Sequence, residues 1–161
     1  MGAGKTTVGR ALAKELKFRF IDSDHEIENR TGVPIPTIFE IEGETGFRQR
    51  EKQLIEELTA EEGVLLATGG GVILDADNRR CLHERGTVVY LAATPQVLHE
   101  RTRHDRNRPL LQVDDRLEVL QNLHKLRDPL YRETAHLVVE INHGSAAQVV
   151  RRIVSQLSDD A

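Results

Sequence analysis

Apolar positions along this chain switch between helical spacing and short continuous runs, and the switching predicts its elements. Val8, Ala11, Leu12 and Leu16 recur at helical spacing with Arg10, Lys14, Glu15 and Lys17 between them, so an amphipathic helix is expected from Thr7 onward. Phe18 to Ile21 is a short apolar run that ends at Asp22-Ser23-Asp24, which predicts a strand opening into a polar turn. A helix over His25 to Arg30 should follow and stop at Gly32 and the nearby prolines. Ile35 to Ile41 predicts a short helix, and Phe47 to Leu58 a longer one with Leu54, Ile55 and Leu58 on its buried face. Val64 to Ala67 reads as a buried strand cut off by Gly69-Gly70-Gly71. Ala76 to Arg85 reads as a helix capped by Gly86, and Thr87 to Leu91 as a strand of a covered parallel sheet. Thr94 and Pro95 supply an N-cap and a first-turn proline for a helix to about Arg103. His104 to Arg108 is charged and without periodicity, and it leads into Pro109-Leu110-Leu111, as a mobile lid would. Leu117, Leu120, Leu123 and Leu126 mark another helix and Leu137 to Ile141 a last strand. Val149, Val150, Ile153, Val154 and Leu157 mark a closing helix.

Strands alternating with helices predict an α/β fold, a parallel sheet with helices on both faces, whose ligands lie beyond the carboxyl ends of the strands. The candidate polar residues fall there. Composition narrows the class: 161 residues suit one domain whose core needs no staples, and Cys81, the only cysteine, rules out an intrachain disulfide. Cys81 reads as a small buried thiol in a reducing, cytoplasmic setting. No apolar run approaches a membrane span, and the first residues do not resemble a signal peptide, so no membrane partner is expected. A formal net charge of −4 argues against non-specific nucleic-acid binding, so any anion site must be built locally.

Such a site is written into the first seven residues. Gly2, Gly4, Lys5 and Thr6 fit the tail of the phosphate-binding pattern G-x-x-x-x-G-K-[ST], in which backbone N–H groups turn inward around nucleotide phosphates. Gly2, Ala3, Gly4, Lys5, Thr6 and Thr7 are the candidate nucleotide contacts. The lysine reaches the terminal phosphates, the Thr6 hydroxyl faces Mg²⁺, and Thr7 opens a helix whose positive end meets the anion. A flexible tail is the bland alternative, and the amphipathic helix behind the loop argues against it.

Further segments stand beside this loop in a fixed order: Asp22-Ser23-Asp24, Gly46-Phe47-Arg48 with Glu51, Ala67-Thr68-Gly69-Gly70-Gly71, and Arg108-Pro109-Leu110-Leu111 with Arg127-Asp128-Pro129-Leu130-Tyr131. In this set the chain resembles shikimate kinase, over nearly its whole length. The resemblance implies a nucleoside-monophosphate-kinase-like domain over residues 1–161, with a substrate-binding region at about 24–60 and a lid at about 103–115. It implies transfer of the γ-phosphoryl of ATP to the 3-hydroxyl of shikimate by a monomer in the cytoplasm. By resemblance Asp22 joins Thr6 in holding Mg²⁺, while Asp24 contacts the substrate and takes the proton of its attacking hydroxyl. Arg48 and Arg127 grip the substrate carboxylate, Glu51 orients Arg48, Gly70 contacts the substrate, and Arg108 swings in with the lid to meet the transferring phosphoryl group. Arg101 and Asn142 flank the adenine, although Arg103 and Arg106 stand close enough in sequence to compete for that part.

Each residue also has an ordinary reading. Asp22 and Asp24, two apart in an extended segment and so on one side of it, would serve equally as helix caps. Arg48 and Glu51 would make a common i,i+3 surface pair, Arg127 a cation at a helix end, and the glycine triplet a plain turn. Thr68 stands where many relatives of the loop carry a metal-binding Asp. A gluconate or nucleoside monophosphate kinase is the alternative enzyme, and a nucleotide-binding protein without turnover the alternative class. A switch GTPase lacks its N-K-x-D signature here. The first glycine of the phosphate loop and the strand that should feed it would lie before Met1. The expectation is therefore that Met1 is an internal residue, preceded by about ten residues that form a Val/Ile/Leu-rich strand in mid-sheet.

Overall fold

The computed structural model describes residues 4–102, 115–142 and 144–159. The expectations for Gly2, Ala3, Arg103, Arg106, Arg108 and nearly all of the lid fall outside them.

Helix α1 (Lys5–Leu16) begins at Gly4, whose φ of 76° is left-handed backbone that glycine adopts without strain. It ends at Lys17, and the Phe18 N–H bonded to the Ala13 carbonyl at 2.8 Å turns the chain into strand β1 (Arg19–Asp22). β1 pairs in parallel with β2 (Val64–Ala67), Arg19 opposite Val64 and Asp22 opposite Ala67. The two strands therefore finish level, and the polar turns that follow them start side by side. β3 (Val89–Ala92) and β4 (Leu137–Glu140) form a second parallel pair, Ala92 opposite Glu140.

After β1 the expected extended turn is replaced by helix α2 (Ser23–Thr31). The Asp22 carboxylate accepts a hydrogen bond from the His25 N–H at 3.2 Å, so the cap starts the helix at once. Asp24 thus sits in a first helical turn and not two along an extended strand from Asp22. Helix α3 (Ile35–Leu58) joins the two helices expected there across a kink at Gly43, where φ is 73°. A 3₁₀ turn (Gly70–Leu74) occupies the glycine triplet, and α4 (Ala76–Arg85) follows. Gly86 is extended, with φ −156°, so α4 does not close on a left-handed glycine as its sequence suggests. The chain continues through α5 (Pro95–Thr102), α6 (Arg116–Thr134), β4 and α7 (Ala146–Asp159). α6 carries Pro129 within it and runs past Leu126, which puts Arg127 inside the helix and not at its end.

Among the described residues most of the buried apolar side chains gather into three groups. Val8 and Leu12 of α1 pack with Val139 of β4 and Ile153 of α7. Ile27 of α2 packs with Ile38, Phe47 and Leu54 of α3. Ile55 packs with Val72, Ile73 and the free thiol of Cys81. Among the described residues the strands make two pairs and not one continuous sheet. Between β2 and β3 lies a cavity of about 680 Å³, lined by Leu65 and Leu66 on one side and Val89 and Leu91 on the other, with α1 and α6 contributing Leu12 and Leu120.

Candidate active site

The first turn of α1 contains no acidic side chain, which leaves its positive end open to an anion; Lys5, Thr6 and Thr7 all belong to it. The Thr6 hydroxyl donates to the Asp22 Oδ2 at 3.2 Å, so two residues sixteen apart in sequence meet in one place. Arg101 reaches the same loop from α5. Its guanidinium bonds the Ile141 carbonyl at 3.1 Å, and one nitrogen lies 3.8 Å from the point a Cβ on Gly4 would occupy. Asn142 uses its side-chain oxygen to accept from the Thr94 N–H at 2.9 Å, which ties the ends of β3 and β4 together.

The substrate candidates converge on the glycine turn after β2. An added Cβ on Gly69 would sit 2.7 Å from the Asp24 Oδ1, and one on Gly71 would fall on the Arg48 guanidinium. A side chain on either glycine would therefore displace the end of a polar side chain that lies directly on the backbone. Arg48 donates to the Glu51 Oε1 at 2.9 Å, and Glu51 is 1% exposed. The pair is no surface contact. Burial pushes the Glu51 carboxyl up, against the pull of the Arg48 charge beside it. Arg127 is buried too, and its Nε, like the Glu51 Oε2, has no hydrogen-bond partner among the described residues. Buried polar atoms left open in this way point to a ligand.

Two contributors escape a reading of the sequence. The Ser23 hydroxyl, fully buried, accepts from the Gly69 N–H at 3.2 Å and so locks the start of α2 to the glycine turn. Tyr131 donates from its hydroxyl to the Gly70 carbonyl. Its ring lies 4.8 Å from that of Tyr90, whose hydroxyl donates to Asp128 at 2.7 Å. Although burial opposes it, the hydrogen bonds from Tyr90 and Arg132 hold the Asp128 carboxyl below its usual range. The i,i+4 spacing of Arg127 and Tyr131 was the available signal.

The chain is similar to known proteins over nearly all of its length. The family model described as shikimate kinase covers residues 1–158. This chain belongs to the shikimate kinase family. It is 61% identical over 158 residues to the shikimate kinase of Dechloromonas aromatica (strain RCB), across 98% of this chain and 86% of that protein. It is 59% identical over 157 residues to the shikimate kinase of Ralstonia nicotianae (strain ATCC BAA-1114 / GMI1000), across 98% of this chain and 83% of that one. The solved shikimate kinase from Acinetobacter baumannii in complex with shikimate superposes with a TM-score of 0.97, at 52% identity, over 99% of this chain and 89% of that chain. The chain is thus an ATP-using kinase of P-loop architecture.

Proposed function

We propose that this protein transfers the γ-phosphoryl of ATP to the 3-hydroxyl of shikimate, giving shikimate 3-phosphate and ADP on the route to chorismate. The observation that carries the reading is the convergence of Asp24, Arg48, Glu51 and Arg127 on the glycine turn, level with the phosphate loop. Two guanidiniums with unspent donors suit a carboxylate, because the planar fork matches its two oxygens. A carboxylate beside them suits the hydroxyls of the same small ring.

In this reading Lys5 neutralises the β- and γ-phosphates, and the first turn of α1 binds them through its N–H groups. Asp24 orients the attacking hydroxyl and accepts its proton, with Gly70 offering bare backbone to the ring. Arg108 meets the transferring group, whose charge spreads over its oxygens in the transition state. Arg101 and Asn142 flank the adenine. Thr6 and Asp22 fit Mg²⁺, since they bring two hard oxygen donors together and leave the remaining positions to water and phosphate. The ion would supply charge neutralisation there. The protein is proposed to act as a cytoplasmic monomer, with a lid at about 103–115 and a substrate region at about 24–60, and without nucleic-acid or membrane partners.

An ADP-release assay with shikimate, gluconate, AMP or water as acceptor tests the proposal. Turnover with shikimate well above the others is the expected result. Equal or greater turnover with gluconate or AMP would overturn it.

A further inference from the structure

Ser23 stands between Asp22 and Asp24 and is 0% exposed. Its part follows from the ladder between β1 and β2. In a parallel pair every second residue of a strand turns both its N–H and its carbonyl to a given neighbour. The Arg19 N–H donates to the Gly63 carbonyl at 2.9 Å, with Arg19 opposite Val64, so that series in β1 runs Arg19, Ile21 and then Ser23. Were β1 to continue, the Ser23 carbonyl would accept from the Gly69 N–H. It does not continue, because α2 begins at Ser23 and a helical carbonyl is aligned with the helix axis. The Ser23 hydroxyl takes the bond in its stead, accepting from the Gly69 N–H at 3.2 Å. The Gly69 carbonyl in turn accepts from the Val72 N–H at 3.3 Å, which opens the 3₁₀ turn. Gly69 is thus held at both ends, and with φ −66° and ψ 152° its backbone is one that any residue adopts. What excludes a side chain there is Asp24, whose Oδ1 would lie 2.7 Å from an added Cβ.

We infer that Ser23 is a positioning residue for phosphoryl transfer: its hydroxyl supplies the rung that β1 gives up when α2 begins, and so seats Asp24, one residue on, against the Gly69 backbone. Without that oxygen the chain has two choices. A helix that still starts at Ser23 leaves the Gly69 N–H without its acceptor. A strand prolonged to restore the rung delays the helix and carries Asp24 out of the place it holds in the first turn. A carboxylate at this position would accept the same bond but add a third negative charge between Asp22 and Asp24, which the neutral hydroxyl does not. The inference rests on the proposed shikimate site, in which Asp24 takes the proton of the attacking hydroxyl and must be held within hydrogen-bond reach of it.

Hydrogen exchange in the intact protein tests the rung without any substitution. The Gly69 amide should be protected comparably to the Ala67 amide of β2, and exchange at the rate of an open turn would overturn the inference. In Ser23→Ala, Gly69 exchange should rise about tenfold relative to Ala67. In the same variant kcat with shikimate should fall about tenfold, with KM for shikimate and for ATP each within about threefold, because Asp24 acts on a proton that moves only in the transition state. Ser23→Thr keeps the oxygen and should bring both readouts back to within about threefold of the original protein. Ile38→Val, a substitution in the apolar cluster that holds Ile27 of the same helix, controls for lost stability and should leave kcat and the ratio of Gly69 to Ala67 exchange unchanged. Unchanged kcat in Ser23→Ala, a loss confined to KM, a loss in Ser23→Thr as large as in Ser23→Ala, or an equal loss of kcat in Ile38→Val overturns the inference. Exchange reads the rung whether or not shikimate is the acceptor. A failed acceptor panel with Gly69 protection lost in Ser23→Ala would therefore fault the function and not the rung.

Discussion

The turn after β2 and the space beside β2 are neighbours built on opposite principles. At the turn, Asp24 and Arg48 press on glycine backbone, Glu51 is sealed beneath Arg48, and Ser23 and Tyr131 bond the backbone on either side. Few atoms are involved, but each is directional, and a displacement of one breaks a bond or leaves a buried charge uncompensated. Beside β2 the walls are mostly aliphatic, Arg127 and Tyr131 being among the exceptions, and about 680 Å³ lies between them and β3. Among the described residues no ladder of hydrogen bonds joins β2 to β3 across that gap. Leu65 and Leu91 gain from burial on one side only, since dispersion needs partner atoms and an open space has none. Among the described residues, directional contacts are thus concentrated where charges meet the backbone.

Stability should show the contrast most strongly. Ile55, wholly buried against Val72, Ile73 and Cys81, should lose about 2–5 kcal/mol on replacement by alanine. Leu65→Ala, on the cavity wall, should cost less than half of that, as read by denaturant midpoints of the two variants. Equal costs would mean that the space between β2 and β3 is as tightly packed as the rest.

Activity should show the reverse. Arg48→Lys and Arg127→Lys keep the charge but lose the fork, and each should lower kcat/KM for shikimate by roughly a hundredfold, equivalent to about 2.7 kcal/mol, with ATP binding little changed. Gly71→Ala should fall in the same range, because the new methyl claims the place of the Arg48 guanidinium. Near-normal turnover in the three variants would show that the polar turn is looser than its contacts imply.

Glu51→Gln preserves the shape and removes the charge beneath Arg48. We expect KM for shikimate to rise about tenfold, with a smaller change in kcat. A fall in kcat with KM unchanged would instead give Glu51 a part in the transition state.

The smallest effect concerns His136, outside both regions, whose Nδ1 accepts from the Val88 N–H at 2.9 Å while its ring stacks on His83 at 4.2 Å. Burial, and then the neighbouring imidazole, lower its pKa from 6.5. The unfolded chain therefore takes up this proton first as pH falls. The stability it contributes is complete above about pH 6.5 and is lost as pH drops through the lower folded value. Melting temperatures from pH 8 to 5 should decline slightly less in His136→Asn, whose amide oxygen keeps the bond to Val88 but does not titrate. Identical pH profiles would remove His136 from the pH response.

The sequence by itself determined the order of strands and helices, because apolar spacing answers to local backbone geometry. It also brought forward the candidate residues of the site, because glycines, paired arginines and the lysine of a phosphate loop are types that few other roles require together. Neighbours along the chain were legible in the same way, as with Arg48 and Glu51 one turn apart. Only the tertiary structure decided what those residues are to one another. That Asp22 caps α2 and so draws Asp24 into its first turn depends on a single side-chain oxygen winning the His25 N–H. That Glu51 is buried beneath Arg48 and the two are not a surface pair depends on α3 lying against the glycine turn, fifteen or more residues away. Ser23 and Tyr131 look like ordinary polar residues until β1 and β2 finish level and α6 runs on past Leu126. Long-range register and burial set these contacts, and neither is carried by spacing along the chain.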